Sequence, residues 1–208
     1  MRSAVTAVAL TVAVLATGPA AASPAAATAR TWTVRPGGAV TATAGTTTLK
    51  DTKTSSFLTC QSSKMSGTLK PGSGLPGTGI GSVTAASYRC TSPIAAYRLM
   101  PGGLPWRLNL TSYDTRTGVS HGTISGVRLA FSVVEFECSA VIGGASATSG
   151  GQVAVSYGNK TGVLKILATG GTLHWYRVHK CDGLLADGDP ASLTAGYAIT
   201  PRQVITSP

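Results

Sequence analysis

PWRLNLTSY, residues 105–113, sets Trp106, Leu108 and Leu110 against Arg107, Asn109 and Thr111 in strict alternation. Successive side chains of an extended chain point to opposite faces, so the stretch predicts a strand with one buried and one wet face. The same period returns in LTAGYAI, with Leu193, Ala195, Tyr197 and Ile199 on one face, and in GQVAVSY, with Val153, Val155 and Tyr157. TWTV, SVTAASY, KILAT and TLHWYRV are shorter β-branched or aromatic runs, and TISGVRLAFSVV is a longer one. KPGSGLPGTG, MPGG, IGGASATSGG and ATGG separate them; Gly and Pro there supply the φ values of turns and loops. Helix signals do not recur. Many short strands with Gly-rich joints predict an all-β fold, either an antiparallel sandwich or a barrel.

Residues 1–29 read as an export signal. Arg2 supplies positive charge, Ala4–Ala16 is an apolar core, and small residues with Pro follow. Cleavage after Ala22 or after Ala29 fits the small-x-small rule, and the second is the expected site. No later run approaches the roughly 20 apolar residues of a spanning helix, so no transmembrane segment is expected in residues 30–208, which are the right length for a single domain. Cys60, Cys90, Cys138 and Cys181 are an even set in an exported chain, which favours two disulfides over metal or redox chemistry. Four cysteines permit three pairings. An internal echo, FLTCQSS…SYRC against FECSAV…VHKC, points to Cys60–Cys90 and Cys138–Cys181. An immunoglobulin domain would place a Trp shortly after the first paired cysteine, and neither pair does so.

Of 17 Lys and Arg, Arg2 belongs to the export signal; the other 16 face 7 Asp and Glu, an excess of nine positive charges. Such an excess keeps a protein soluble and attracts polyanions, here anionic envelope polymers or lipid. The basic residues are scattered, and no specific nucleic-acid partner is expected. Arg107 and Arg116 flank one predicted strand and Lys160 and Lys165 another, which makes them the candidate polyanion contacts.

Several patterns invite chemistry. LPGTG, Leu75–Gly79, spells a wall-sorting signal, but such a signal needs a hydrophobic stretch and basic tail directly after it; here it reads as a loop. GVSHG, Gly118–Gly122, fits G-x-S-x-G with His121 beside Ser120, yet that elbow is a strand-to-helix turn and the residues after Gly122 read as β. Glu135 and Glu137 alternate with Phe136 and Cys138 and so share an outer strand face. A carboxylate pair is the equipment of glycoside hydrolysis. His174 and His179, five apart on an extended strand, should face opposite ways and share no metal. Asp182, Asp187 and Asp189 lie in a Gly-rich stretch that reads as turn chemistry rather than a calcium loop. No metal or cofactor is expected.

WTVRPGGAV, AGTTTLKDT, LTCQSSKMSGTL, GSGLPGTGIGSVT, LPWRLNLTSY, YGNKTGVLKI and AGYAITPRQVITSP together resemble a group of small secreted proteins of actinobacteria such as Streptomyces. The resemblance covers essentially residues 30–208. It implies an extracellular compartment, a disulfide-bearing β fold and a GC-rich host, and it carries over no catalytic or binding residue. The expected function is that of a secreted, non-catalytic β protein acting by binding at or near the cell envelope. The alternatives are a hydrolase using Ser120 and His121 or Glu135 and Glu137, and a barrel that carries a small apolar ligand.

Overall fold

The computed structural model describes residues 30–91, 96–133 and 135–208, so the expected export signal lies outside the described residues. Among the described residues the regular elements are all strands. The first eight are β1 (Thr31–Arg35), β2 (Gly38–Ala44), β3 (Thr47–Asp51), β4 (Phe57–Cys60), β5 (Ser62–Leu69), β6 (Gly72–Pro76), β7 (Gly81–Thr91) and β8 (Ala96–Gly102). The remainder are β9 (Trp106–Asp114), β10 (Val119–Val133), β11 (Cys138–Gly143), β12 (Gly151–Gly158), β13 (Val163–Ile166), β14 (Leu173–His179), β15 (Pro190–Thr200) and β16 (Val204–Thr206).

Following the ladders resolves sandwich against barrel. β2, β5, β7, β9, β10, β12, β13 and β15 pair in that order, all antiparallel, and β15 returns to β2. That is a closed ring of eight strands. A second ring continues below it through β7, β8, β10, β11, β14, β15, β3 and β4. Between β4 and β7 the described residues show no ladder, and the Cys60–Cys90 disulfide crosses the gap instead. Gln61 reinforces it, its backbone N–H reaching Arg89 O at 2.8 Å and its side-chain oxygen accepting the Thr91 N–H at 2.9 Å. β7, β10 and β15 run through both rings, and at each other position two strands meet end to end. The result is one long barrel. β10 passes from ring to ring at a bulge between Ser125 and Val127, where Gly126 takes φ +83°. Such a bulge re-aims a strand at a barrel corner.

The alternation read in residues 105–113 decides which way each face points. Leu110, Ile124, Val155, Tyr157 and Leu164 fill the first ring, and Leu49, Leu129, Ile142, Trp175 and Leu193 the second. Each such side chain contributes about 1.5–3 kcal/mol by leaving water. Arg107, Thr111 and His121 project into solvent. A lipid-facing barrel would show the reverse, apolar outside. Among the described residues no helix is long and apolar enough to cross a membrane.

A three-stranded sheet, β16-β1-β6, caps the first ring with Trp32, Val34 and Ile205 buried beneath it. The Tyr157 hydroxyl donates to Gln203 O at 2.8 Å and accepts the Gln203 N–H at 3.1 Å. Asn159 grips both backbone groups of Ile205, at 2.7 and 2.8 Å. The expected loop KPGSGLPGTG is therefore half strand: Gly72–Pro76 pairs with β1, Leu75 facing Trp32. A Cβ at Gly77 would stand 2.2 Å from Leu110 O, so the sorting-like pentapeptide is a packed part of the cap. MPGG likewise lies largely within β8. VVEFEC departs in the other direction, because Glu135–Glu137 form the turn between β10 and β11.

Candidate functional site

Among the described residues, the end opposite the cap is open. Connections 52–56, 135–137 and 180–189 surround it, and both disulfides lie there, Cys138–Cys181 tying the last connection to β11. Inside is a cup of about 350 Å³ whose walls include Phe57, Tyr97, Phe131, Phe136, Trp175 and Leu184. All three phenylalanines of the chain are among them. The rings are set in relation to one another: Tyr97 stacks on Phe131 at 6.3 Å, and Phe131 meets Trp175 edge to face at 5.9 Å. Trp175 is 1% exposed, and its indole N–H has no hydrogen-bond partner. At the rim, Phe57, Phe136 and Leu184 are 72%, 54% and 59% exposed.

Polar contacts fix the rim. Lys53 reaches Asp189 at 2.9 Å, and that hydrogen bond raises the lysine's pKa. Asp51 Oδ1 accepts the N–H groups of Lys53 and Thr54, at 2.9 and 3.0 Å, which shapes the turn after β3. Thr54 Oγ1 donates to Leu184 O at 2.8 Å, and Asp187 accepts the Val178 N–H at 2.9 Å. Lys180 pairs with Glu137. Sidedness and turn chemistry thus hold the apolar walls apart without filling the space between them.

The first ring holds a second, apolar space of about 60 Å³, lined by Leu108, Leu110, Ile124, Val155 and Leu164 among others. At about 60 Å³ it is well below the roughly 300–1,000 Å³ common for ligand sites. Elsewhere in the interior, Thr47 and Ser63 hydroxyls meet at 2.6 Å, and Ser63 bonds Tyr197 OH at 2.9 Å. Burial raises the phenol pKa of Tyr88 and of Tyr197.

The residues singled out by pattern fall in other places. Ser120 is 0% exposed and points into the barrel, opposite Tyr113 and Tyr157, with its Oγ unpartnered. His121 faces solvent on the outer side, so the two are not brought together. The glycines of GVSHG have structural reasons: Gly118 closes the β9–β10 turn at φ +72°, and a Cβ on Gly122 would lie 1.9 Å from Asn109 O. Glu135 accepts the Ala96 N–H at 3.2 Å while Glu137 pairs with Lys180, so each is engaged apart from the other. His174 and His179 share the outer face, contrary to the expectation, because a bulge at Arg177 (φ +52°) inserts one residue and restores the phase. They pair with Gly143 and Ser139, four residues apart on β11 and so about 13 Å from one another. No group of three metal-ligating side chains occurs among the described residues.

Arg116 and Lys160 belong to neighbouring hairpin turns, joined by the Asn159 N–H to Gly118 O bond of 3.0 Å. Arg107 and Lys165 lie apart on the outer wall, on β9 and β13. The aromatic walls of the cup were missed by motif reasoning. A signal was present, since Phe57 and Phe136 stand within three residues of Cys60 and Cys138.

Fold and site together define an elongated, disulfide-riveted antiparallel barrel, capped at one end and cupped at the other. Compared with known protein families, curated proteins and solved structures, the chain matches none.

Proposed function

We propose that this is an exported, non-catalytic binding protein of the cell envelope that holds a small apolar ligand in the cup at the open end of its barrel. The observation that carries this reading is the cup itself: a 350 Å³ space with aromatic walls, kept open by a rim of ion pairs and disulfides. Ligand sites are concave, mostly apolar, pre-formed and commonly about 300–1,000 Å³. Two disulfides suit an extracellular location. The resemblance to secreted actinobacterial proteins supports the same compartment. The hydrolase alternatives draw no support from a Ser120 enclosed in the barrel or from glutamates engaged separately. Because Trp175 lines the cup, its fluorescence reports occupancy. Titration with an apolar probe such as 1-decanol should give a saturable change that Trp175→Phe abolishes and Phe131→Ala weakens. A linear, unsaturable response in the parent protein would remove the proposal.

A second reading rests on the placement of charge. Six of the seven acidic residues, Asp51, Glu135, Glu137, Asp182, Asp187 and Asp189, lie around the mouth, and Asp114 alone lies at the capped end. The positive excess is thus concentrated on the cap and adjoining wall, which would hold anionic envelope polymers by counterion release. Binding of lipoteichoic acid should be detectable at low salt and fade at physiological ionic strength, where the Debye length is about 8 Å. Replacing Arg116 and Lys160 together should weaken it more than replacing Arg107 and Lys165. Salt-indifferent binding would discard this reading.

A further inference from the structure

We propose that the occupant of the cup is a small organic cation: an ammonium group, quaternary or alkylated, on an apolar body. This rests on the cup being a ligand site, and it adds the ligand's charge.

Two independent features agree on the sign. The first is the wall. Phe57, Tyr97, Phe131, Phe136 and Trp175 present five aromatic rings to one space. Their faces carry the negative end of the ring quadrupole, which attracts a cation at about 0.5–1 kcal/mol per contact when exposed and more when water is excluded. A carboxylate would be repelled by any ring face it met and would lose its hydration as well. The Tyr97–Phe131–Trp175 arrangement is fixed by strand register, so the rings need no ordering on binding.

The second is the rim. Among the described residues Lys180 is the one cation lining the cup, and Glu137 pairs with it. Lys53, the other cation of the mouth loops, is held by Asp189. Arg98 and Arg177 are exposed, Arg98 on the outer face of β8. On the acidic side, Asp182 lines the cup and forms no ion pair among the described residues. Among the described residues, Glu135 and Asp187 meet only the backbone N–H groups of Ala96 and Val178. Asp182, Glu135 and Asp187 are thus carboxylates of the mouth without an ion pair among the described residues, while Lys50, Arg89, Arg98 and Arg177 lie on the strands beside it. Six acidic and six basic residues share this end, so the positive excess carried by the rest of the chain is absent at the mouth.

Three probes of matched shape separate the possibilities: benzyltrimethylammonium, its uncharged carbon isostere neopentylbenzene, and 4-tert-butylbenzoate. Each is titrated against the disulfide-intact protein, with Trp175 fluorescence and calorimetry as readouts. The cation should bind about fivefold or more tighter than the isostere, and the benzoate weakest. Asp182→Asn should lower cation affinity about two- to fivefold, the range of an exposed ion pair, and leave the isostere unchanged. Asn tolerates the φ of +47° at that position, so the backbone is kept. Equal affinity for all three probes, or preference for the benzoate, would overturn the charge assignment while leaving the cup as a ligand site. Binding of none would remove both.

Discussion

Replacing Ser120 by Ala should make the protein more stable, against the habit of core substitutions. Ser120 is wholly enclosed in the first ring, and its Oγ has no hydrogen-bond partner among the described residues. A hydroxyl buried without a partner costs about 1–3 kcal/mol by mutational measures. Alanine keeps the Cβ that packs toward Tyr113 and Tyr157 and removes a single oxygen. The hole left is smaller than the methyl-sized void that costs ~1 kcal/mol. The difference leaves a net gain of about 1 kcal/mol, or a rise of about 2–4 °C in melting temperature for a chain of this size. Guanidinium unfolding followed by tryptophan fluorescence, with disulfides intact and the m-value unchanged, measures it directly. A loss of 1 kcal/mol or more would refute the reasoning, because it would mean that the hydroxyl is bonded, for example to an internal water. Fluorophosphonate labelling gives a parallel check, since a serine inside the barrel should stay unlabelled while the protein is folded.

Gly122→Ala should act in the opposite sense, lowering stability by about 3 kcal/mol or more, because the Cβ would meet a backbone carbonyl at 1.9 Å that no side-chain rotation relieves; the denaturation midpoint reports it. Cys60→Ser with Cys90→Ser should cost about 4 kcal/mol in the chain-entropy account, with amide exchange accelerated first in Phe57–Cys60, where no ladder to β7 takes over. Burial raises the folded phenol pKa of Tyr88, Tyr157 and Tyr197. Their contribution to stability is therefore complete below the unfolded value of about 10 and declines as pH rises past it, when only the unfolded phenols ionise. Absorbance of tyrosinate at high pH should show these phenols ionising together with unfolding; reversible ionisation in the folded state would contradict the burial.

Sidedness was legible because it is local. Two-residue alternation in 105–113, 151–157 and 193–199 told inside from outside without knowledge of any partner strand, and the paired cysteine echo identified the disulfides. Closure was not legible, since β15 meeting β2 is a pairing across more than 150 residues that no window contains. Gly72–Pro76 reads as loop by composition and becomes a strand because the edge of β1 is there to receive it. The bulge at Arg177 shows how one inserted residue reverses a face assignment made by counting. The cup was invisible for a related reason: Phe57, Tyr97, Phe136 and Trp175 come from four separate hairpins, and only the second ring makes them neighbours.

The seam that completes the barrel joins the beginning of the domain to its end. Thr43 lies opposite Ala198, Thr33 opposite Thr206, and the Ser207 hydroxyl bonds Thr31 O. A chain emerging from a ribosome or a translocation pore N-terminus first can form hairpins as it goes, but it cannot complete the second ring before Pro190–Ala195 or the first before Ala198–Thr200 are free. Long-range pairing of this kind folds slowly. Under the proposed export that delay would have a use: the chain would stay threadable throughout its passage and lock only on the far side, where oxidising surroundings would then set its rivets.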